Sequence, residues 1–294
     1  MSFHLSPSTR AALWMLLCSS SFGGTLVCIR QIGHLGAIEI VLFRVIVAVV
    51  LLAPWLGARS RAGFRRGNLV LYLAIGIFLL IALASWNWVV NRMPLADGTA
   101  LNFTLPLFGT AFAVIFLKEP LTRARVLALL VGFVGVLVIL RPGWIAITGP
   151  ALAALGCAAA FAAANIIMKF LVRSVPADVV TFNFHLVLLP LALVASLPDW
   201  TTPSLADLPW AIGIGVFGTT SYIGLMRAFA LADASACMAY DFMRLPFAAV
   251  IGAALFGEAP DVWTWLGAAI IFGAAYTATR AEARAARTRA GVAT

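Results

Sequence analysis

Four ionisable residues stand well inside strongly apolar stretches of the chain: Arg44, His185, Asp241 and Arg244. An ionisable side chain in an apolar medium is costly, so it usually faces a water-filled cavity or an oppositely charged partner. Asp241 and Arg244 are three residues apart, a spacing that places both on one face of a helix. Two interpretations of this pair remain open. It is either an internal ion pair that fixes helix packing, or a binding pair in which a ligand competes for one member.

The other two ionisable residues also allow two interpretations each. Arg44 could hydrogen-bond backbone groups or a gate, or it could contact a ligand directly, and the first of these is expected. His185 titrates near neutral pH, so it could relay a proton. The expected alternative is that neighbouring groups simply satisfy its ring nitrogens.

Several amphipathic or polar side chains fall in the same apolar stretches and would suit a partly apolar metabolite. These candidates are Trp86, Asn102, Asn165, Tyr222 and Tyr240. Trp86 also lies near the end of its stretch, so anchoring at a membrane surface is an alternative for it. Pro106 and Pro246 are predicted inside helices, where each would remove one backbone hydrogen bond and act as a hinge.

The elements that must position these residues follow from the composition. Of 294 residues, 63% are hydrophobic and 11% are charged, and the mean hydropathy is +1.03. A soluble domain carries about 25% charged residues, so the chain is predicted to be an all-α integral membrane protein. A membrane-crossing helix needs about 20 apolar residues. Ten such spans are predicted, at 11–29, 36–57, 69–91, 95–117, 124–140, 148–172, 178–197, 209–231, 233–256 and 262–279.

The basic residues give an orientation for these spans. Fifteen Lys and Arg residues fall in one alternating set of connections and in the tail, and three fall in the other set. This bias predicts that both termini are cytoplasmic and that the protein lies in a bacterial inner membrane. It also accounts for the net charge of +9 without nucleic acid as a partner. Tryptophans at the predicted span ends agree with this arrangement.

The sequence contains an internal repeat at an offset of 139 positions. At this offset Arg30 lies over Lys169, and Glu119 lies over Glu258. Residues 1–140 and 141–294 are therefore predicted to be two related units of five spans each. Because five is an odd number, the second unit must enter the membrane from the opposite side. Such an inverted repeat favours a transporter that works by alternating access.

Other chemistries lack their motifs in the sequence. There is no phosphate-binding G-x-x-x-x-G-K-[ST] loop, no H-E-x-x-H and no G-x-S-x-G. No pair of cysteines has the spacing of metal ligands. We therefore expect no catalytic residue, metal or cofactor, and a small-molecule substrate as the partner. An intramembrane enzyme and a passive channel are the alternatives from other classes. A monomer or a weak homodimer is expected in the bilayer.

Four short motifs carry a resemblance to a known family: Ser19–Gly24, Phe43-Arg44, Glu119 with Ala128, and Glu258 with Gly267. In these the chain resembles the EamA-type ten-helix carriers of the drug/metabolite transporter superfamily. The resemblance implies that spans one, three, four, six, eight and nine line a central cavity, with spans five and ten at the periphery. It also implies metabolite transport, for which export of amino acids or related amphipathic compounds is the first expectation.

A second motif points to a branch of that superfamily. The segment Arg244-Leu245-Pro246-Phe247 is similar to a bacterial branch that includes carriers of vitamins and nucleoside derivatives. Uptake of such a compound is therefore the alternative function.

Overall fold

The computed structural model describes residues 7–63, 66–117, 123–140, 148–171, 174–229, 243–274 and 276–277. All regular secondary structure in this part of the chain is helical, as the composition predicts. The helices are α1 (Pro7–Gln31), α2 (Ala37–Gly63), α3 (Arg66–Val90), α4 (Leu95–Asn102), α5 (Leu105–Leu117), α6 (Arg123–Leu140), α7 (Gly149–Leu171), α8 (Ala177–Ser196), α9 (Leu208–Phe229), α10 (Arg244–Phe256) and α11 (Val262–Ala274).

Five helical segments in the described residues are long and apolar enough to cross a membrane. They are Arg10–Gln31, Ala37–Pro54, Asn68–Val90, Gly149–Met168 and Asp178–Ser196. Shorter apolar helices occur at Leu130–Leu140, Arg244–Phe256 and Val262–Ala274. A multi-pass membrane protein is thus confirmed, while the count of ten spans and the inverted repeat stay predictions.

The outer surface of the helices is apolar. Leu130 and Phe133 on α6 are 61% and 59% exposed, and Val194 on α8 is 67% exposed. Contiguous exposed side chains of this kind are rare on water-soluble monomers. Acyl chains of a bilayer cover such a surface without the cost of hydrating it.

Helices from the first half of the chain pack on helices from the second half. The pairs are α1 with α9, α2 with α8, α3 with α7, and α4 with α10. Small residues allow the closest of these approaches: a Cβ atom added at Gly224 of α9 would lie 2.9 Å from the carbonyl oxygen of Trp14 in α1. Dispersion contacts between closely packed backbones are a main source of stability inside a membrane.

Helices α6 and α11 also meet backbone to backbone. A Cβ atom added at Gly135 would lie 2.9 Å from the Gly267 carbonyl oxygen, and one added at Gly267 would lie 2.6 Å from the Gly135 carbonyl oxygen. No side chain fits between the two helices at this crossing. The contact joins two helices that the family resemblance places at the periphery.

The predicted fourth span is interrupted, and both prolines differ from the expectation. Residues 95–117 form two helices that are separated by Phe103 and Thr104, where the Thr104 hydroxyl donates to the Leu101 carbonyl over 2.7 Å.

Pro106 is the second residue of α5, and Pro246 is the third residue of α10. In a first helical turn the N–H has no intrahelical acceptor. The expectation that each proline removes a hydrogen bond inside a helix is therefore wrong, and their role as hinges stays a prediction.

Candidate functional site

Phe22 of α1 contacts both an aromatic ring and a cation. Its ring centroid lies 5.8 Å from that of Trp86 on α3, with an interplanar angle of 33°. The guanidinium carbon of Arg244 lies 5.1 Å from the Phe22 centroid, which is within the range of a cation–π interaction. We call these three side chains the Phe22 stack. It joins two helices of the first half to one helix of the second.

A small polar cluster holds Arg244 beside the stack. Arg244 Nη2 donates to Cys18 Sγ over 3.4 Å. Cys18 Sγ in turn lies 3.3 Å from the hydroxyl of Ser221 on α9, and this hydroxyl donates to the Cys18 carbonyl over 3.0 Å. Helices α1, α9 and α10 therefore converge on the guanidinium.

The exposed fractions show which parts of the stack a ligand could reach. Trp86 is only 4% exposed, so it does not lie at a membrane surface as an anchor. It supports Phe22 from within the protein instead. Phe22 and Arg244 are half-buried and offer the accessible surfaces.

Asn102 lies at the end of α4, just before the break at Phe103. Its Nδ2 donates to Cys157 Sγ on α7 over 3.7 Å. Asn102 is half-buried, and Cys157 is fully buried. The contact again joins the two halves of the chain, and it belongs to the same apolar core that packs against Phe22 and Trp86.

The remaining described candidates line a cavity that no residue of the Phe22 stack borders. Arg44, Asn165, His185 and Tyr222 border a space of about 350 Å³ between α2, α3, α7, α8 and α9. The His185 ring donates from Nδ1 to the Thr181 carbonyl over 2.8 Å. The structure thus separates the sequence-predicted residues into two groups. Trp86, Asn102 and Arg244 are in the first group, and Arg44, Asn165 and Tyr222 are in the second.

Tyr240 and Asp241 lie outside the described residues. The ion pair between Asp241 and Arg244 therefore stays a prediction.

The structure adds a contact that the sequence did not identify as functional. Arg30 at the end of α1 forms an ion pair with Glu258 after α10, with 2.6 Å between Nη2 and Oε1. The same Nη2 donates to the Met93 carbonyl over 2.8 Å, and Glu258 Oε2 accepts from the Leu95 amide over 2.8 Å. We call these four groups the Arg30 latch. A sequence signal existed, because the repeat keeps a basic residue at position 30 and an acidic one at position 258 in both halves.

Local backbone geometry aims Glu258 at the latch. Gly257 caps α10 in the left-handed region, with φ 67° and ψ 20°. This conformation is easy only for a residue without a Cβ atom. It turns the chain so that the Glu258 amide donates back to the Gly252 carbonyl over 2.9 Å.

A second set of contacts closes the same end of the bundle. The carboxylate of Glu39, at the start of α2, accepts from the backbone amides of Gly36 and Thr201, each over 3.3 Å. The imidazole of His34 lies 3.4 Å from the Asp207 carboxylate. The connection before α9 is therefore tied to the connection between α1 and α2.

Comparison with known proteins agrees with this architecture. The model of the EamA-like transporter family matches residues 9–141 and again residues 148–280. A riboflavin transporter of Vibrio cholerae is 29% identical over 273 residues, which cover 89% of this chain and 90% of that protein. An S-adenosylmethionine uptake transporter of Rickettsia bellii is 27% identical over 259 residues, covering 88% and 89%.

A solved crystal structure shares the fold. It is 17% identical in sequence, superposes with a TM-score of 0.61, and the match covers 94% of this chain and 98% of that one. The two family matches together span most of the sequence, which confirms the resemblance seen in its motifs. The chain belongs to the EamA-like transporter family.

Proposed function

We propose that the protein is an uptake carrier for a vitamin or nucleoside-derived metabolite that contains a planar ring system. The relatives named above are transporters of riboflavin and of S-adenosylmethionine. Both compounds join a heteroaromatic ring to a polar chain. The names of these relatives favour transport of such a compound, and in one case its uptake, over the first expectation, export of amino acids.

The Phe22 stack is the observation that carries this proposal. A flat heteroaromatic ring packs well against a phenyl face, and a guanidinium beside it adds hydrogen-bond donors for ring oxygens or nitrogens. Most binding sites for small molecules combine an apolar wall with a few polar groups in this way. Phe22 and Arg244 come from different halves of the chain. A ligand that contacts both side chains would therefore respond to movement of one half against the other.

The pattern of helix contacts supports alternating access. In the repeat, α1 corresponds to α7 and α3 corresponds to α9. Exchange of the two halves therefore turns the α1–α9 contact into the α7–α3 contact, and both contacts occur. Two halves that can exchange roles are the basis of an inverted-repeat carrier.

The two ends of the bundle differ in how their connections are tied together, although each borders a space, of about 330 Å³ beside His34 and about 350 Å³ beside Arg44. The Arg30 latch and the Glu39 contacts join the connections at one end. The cavity of about 350 Å³ extends toward the other end of the bundle. There Arg227, in the last turn of α9, and Asp178, in the first turn of α8, border it. By the charge bias the latched end is periplasmic and the termini are cytoplasmic. The conformation would then face the cytoplasm.

The test is uptake into proteoliposomes of radiolabelled riboflavin, S-adenosylmethionine and leucine. We expect saturable uptake and counterflow of one of the first two compounds. Phe22→Leu and Arg244→Gln should weaken that uptake, since each removes one side of the stack. Trp263→Phe is the matched control and should leave uptake unchanged. Trp263 is 45% exposed at the start of α11 and does not belong to the stack.

Three results would contradict the proposal. Leucine counterflow without transport of either ring compound would indicate an amino acid carrier instead. Unsaturable flux without counterflow would indicate a channel. Equal uptake by Phe22→Leu and the wild type would remove the stack from the binding site.

A further inference from the structure

The cavity beside Arg44 is separate from the Phe22 stack. Its wall comes from α2, α3, α7, α8 and α9, and neither Phe22, Trp86 nor Arg244 lines it. Most of the wall is apolar and includes Leu79 and Leu83 of α3 and Phe161 of α7. A space of about 350 Å³ is within the size range of small-molecule sites.

Arg44 brings a positive charge into this apolar space. It is the eighth residue of α2, and no carboxylate among the described residues lies within ion-pair distance of its guanidinium. An arginine at this depth in a membrane is costly and is normally met by a partner or a wet cavity. Asp178 borders the same cavity but forms no ion pair with Arg44, so a bound ligand could supply a negative charge beside the guanidinium.

The packing of α9 makes room for this guanidinium. A Cβ atom added at Gly218 would lie 2.9 Å from the guanidinium carbon of Arg44. Any larger residue at position 218 would occupy the space where the charged group lies. The absence of a side chain there lets Arg44 lie against the α9 backbone while it borders the cavity.

His185 supplies a second polar atom from α8. Its Nδ1 donates to the Thr181 carbonyl over 2.8 Å, which holds the ring in place. Its Nε2 has no described hydrogen-bond partner in the protein. The ring can therefore offer Nε2 to a ligand, as an acceptor when neutral and as a donor when protonated. Tyr222 and Thr219 border the same space with hydroxyl groups.

We propose that this cavity is a second binding site, which takes a carboxylate attached to an apolar body. The carboxylate lies against the Arg44 guanidinium, whose planar fork matches its two oxygens. The apolar body lies along the leucines of α3. Such a molecule could enter from the bilayer as a fatty acid or from water as a soluble aromatic acid. The site is independent of the metabolite proposed for the Phe22 stack.

The test is equilibrium dialysis with the full chain in phosphatidylcholine nanodiscs, with binding to empty nanodiscs subtracted. The probes are radiolabelled decanoate, radiolabelled phenylacetate and, as the uncharged match, decanol. We expect a carboxylate probe to bind more tightly than decanol. Loss of the charge-assisted hydrogen bonds in Arg44→Gln should weaken it about tenfold or more, with Arg44→Lys intermediate. Preference for decanoate would support a bilayer source, and preference for phenylacetate a soluble one.

The matched control is Arg92→Gln, which removes an arginine that contacts Trp88 and does not border this cavity, and which should leave carboxylate binding intact. His185→Phe and Thr219→Leu keep Arg44 and should also weaken binding, so the test does not depend on one variant folding. Carboxylate binding no tighter than that of decanol would overturn the proposal. So would equal losses in Arg44→Gln and Arg92→Gln, or no loss in any cavity variant.

Discussion

Arg30 Nη2 and Glu258 Oε1 lie 2.6 Å apart, although 228 positions of sequence separate the two residues. Their side chains are only 17% and 19% exposed, so water screens the pair weakly. Hydrogen bonds between ionised groups are about twice as strong as neutral ones. A charge left alone in such a place is costly. The ion pair therefore holds the two halves of the chain together at this end of the bundle.

Removing the charge of Glu258 should open this end. In Glu258→Gln the closed conformation loses the ion pair, and hydrogen bonds to charged groups contribute about 1.5–3 kcal/mol each. A cysteine placed at Ala96, which is 4% exposed behind the latch, reports the opening. We expect its reaction with a water-soluble maleimide to become about tenfold faster or more, after labelling of the parent chain is subtracted.

The matched control for this experiment is Arg92→Gln. Arg92 belongs to the same end of the bundle, but its guanidinium carbon lies 4.8 Å from the ring centroid of Trp88, within its own half. Its loss should leave the maleimide rate unchanged. A similar acceleration in both variants would show that charge alone, and not the latch, controls access.

The backbone turn at Gly257 should affect the same equilibrium. An alanine in the left-handed region costs about 1 kcal/mol relative to glycine, and asparagine tolerates that region better. Gly257→Ala should therefore accelerate labelling at position 96, and Gly257→Asn should do so less. Equal rates in both variants and the wild type would mean that the φ of 67° is not needed to place Glu258.

Much of this architecture follows from sequence patterns, but its key contacts do not. Apolar runs predict membrane helices because a bilayer demands about 20 such residues. The sequence marks an interruption of residues 95–117 only through Pro106, whereas the structure places the break before it, at Phe103 and Thr104, where the Thr104 hydroxyl donates to the Leu101 carbonyl. The repeat marks position 30 as basic and position 258 as acidic, but it does not indicate that these two side chains, 228 positions apart, pair with each other.

The candidate site was predicted as residue types but not as a geometry. Arg244 and Tyr222 both emerged as polar groups in apolar stretches, yet they border different spaces. Which face of each helix turns inward depends on packing between halves, and a repeat at 139 positions does not specify this. Phe22 shows the same limit, since its role depends on Trp86 and Arg244 from two other helices.

Close packing of α6 and α11 should make Gly267 sensitive to the smallest substitution. An added methyl group would lie 2.6 Å from the Gly135 carbonyl oxygen, and overpacking of this kind costs about 1–3 kcal/mol. Gly267→Ala should therefore lower the melting temperature of the purified protein in detergent. Gly273→Ala on the same helix is the control, because a Cβ atom there meets nothing within 4 Å. An unchanged melting temperature for Gly267→Ala would refute the close approach.

Asp207 should contribute an acid-sensitive part of the stability. The hydroxyl and then the amide of Ser204 hydrogen-bond its carboxylate over 2.7 and 2.8 Å, and these bonds lower its pKa from the ordinary 3.8. A lowered pKa in the folded state adds stability above pH 3.8, which is lost as the pH falls through the folded-state pKa. Asp207→Asn should therefore melt below the wild type near neutral pH.

The gap between Asp207→Asn and the wild type should shrink well below pH 3.8. Thermal unfolding at both pH values measures it, and Asp199→Asn in the same connection serves as the exposed control. A gap that stays constant with pH would assign the effect of the substitution to packing instead of ionisation.

The Arg30 guanidinium donates to the Met93 carbonyl and to the Glu258 carboxylate through the same Nη2 atom. Its central carbon lies 5.1 Å from the centroid of the Phe256 ring. These contacts cannot be released one at a time, because moving Arg30 disrupts all of them together. A half-released state would leave Glu258 without its counter-charge and is therefore sparsely populated. Opening should be all-or-none, with little leakage of protons or other ions between turnovers. A carrier built in this way can turn over its solute without dissipating the gradients of the membrane in which it lies.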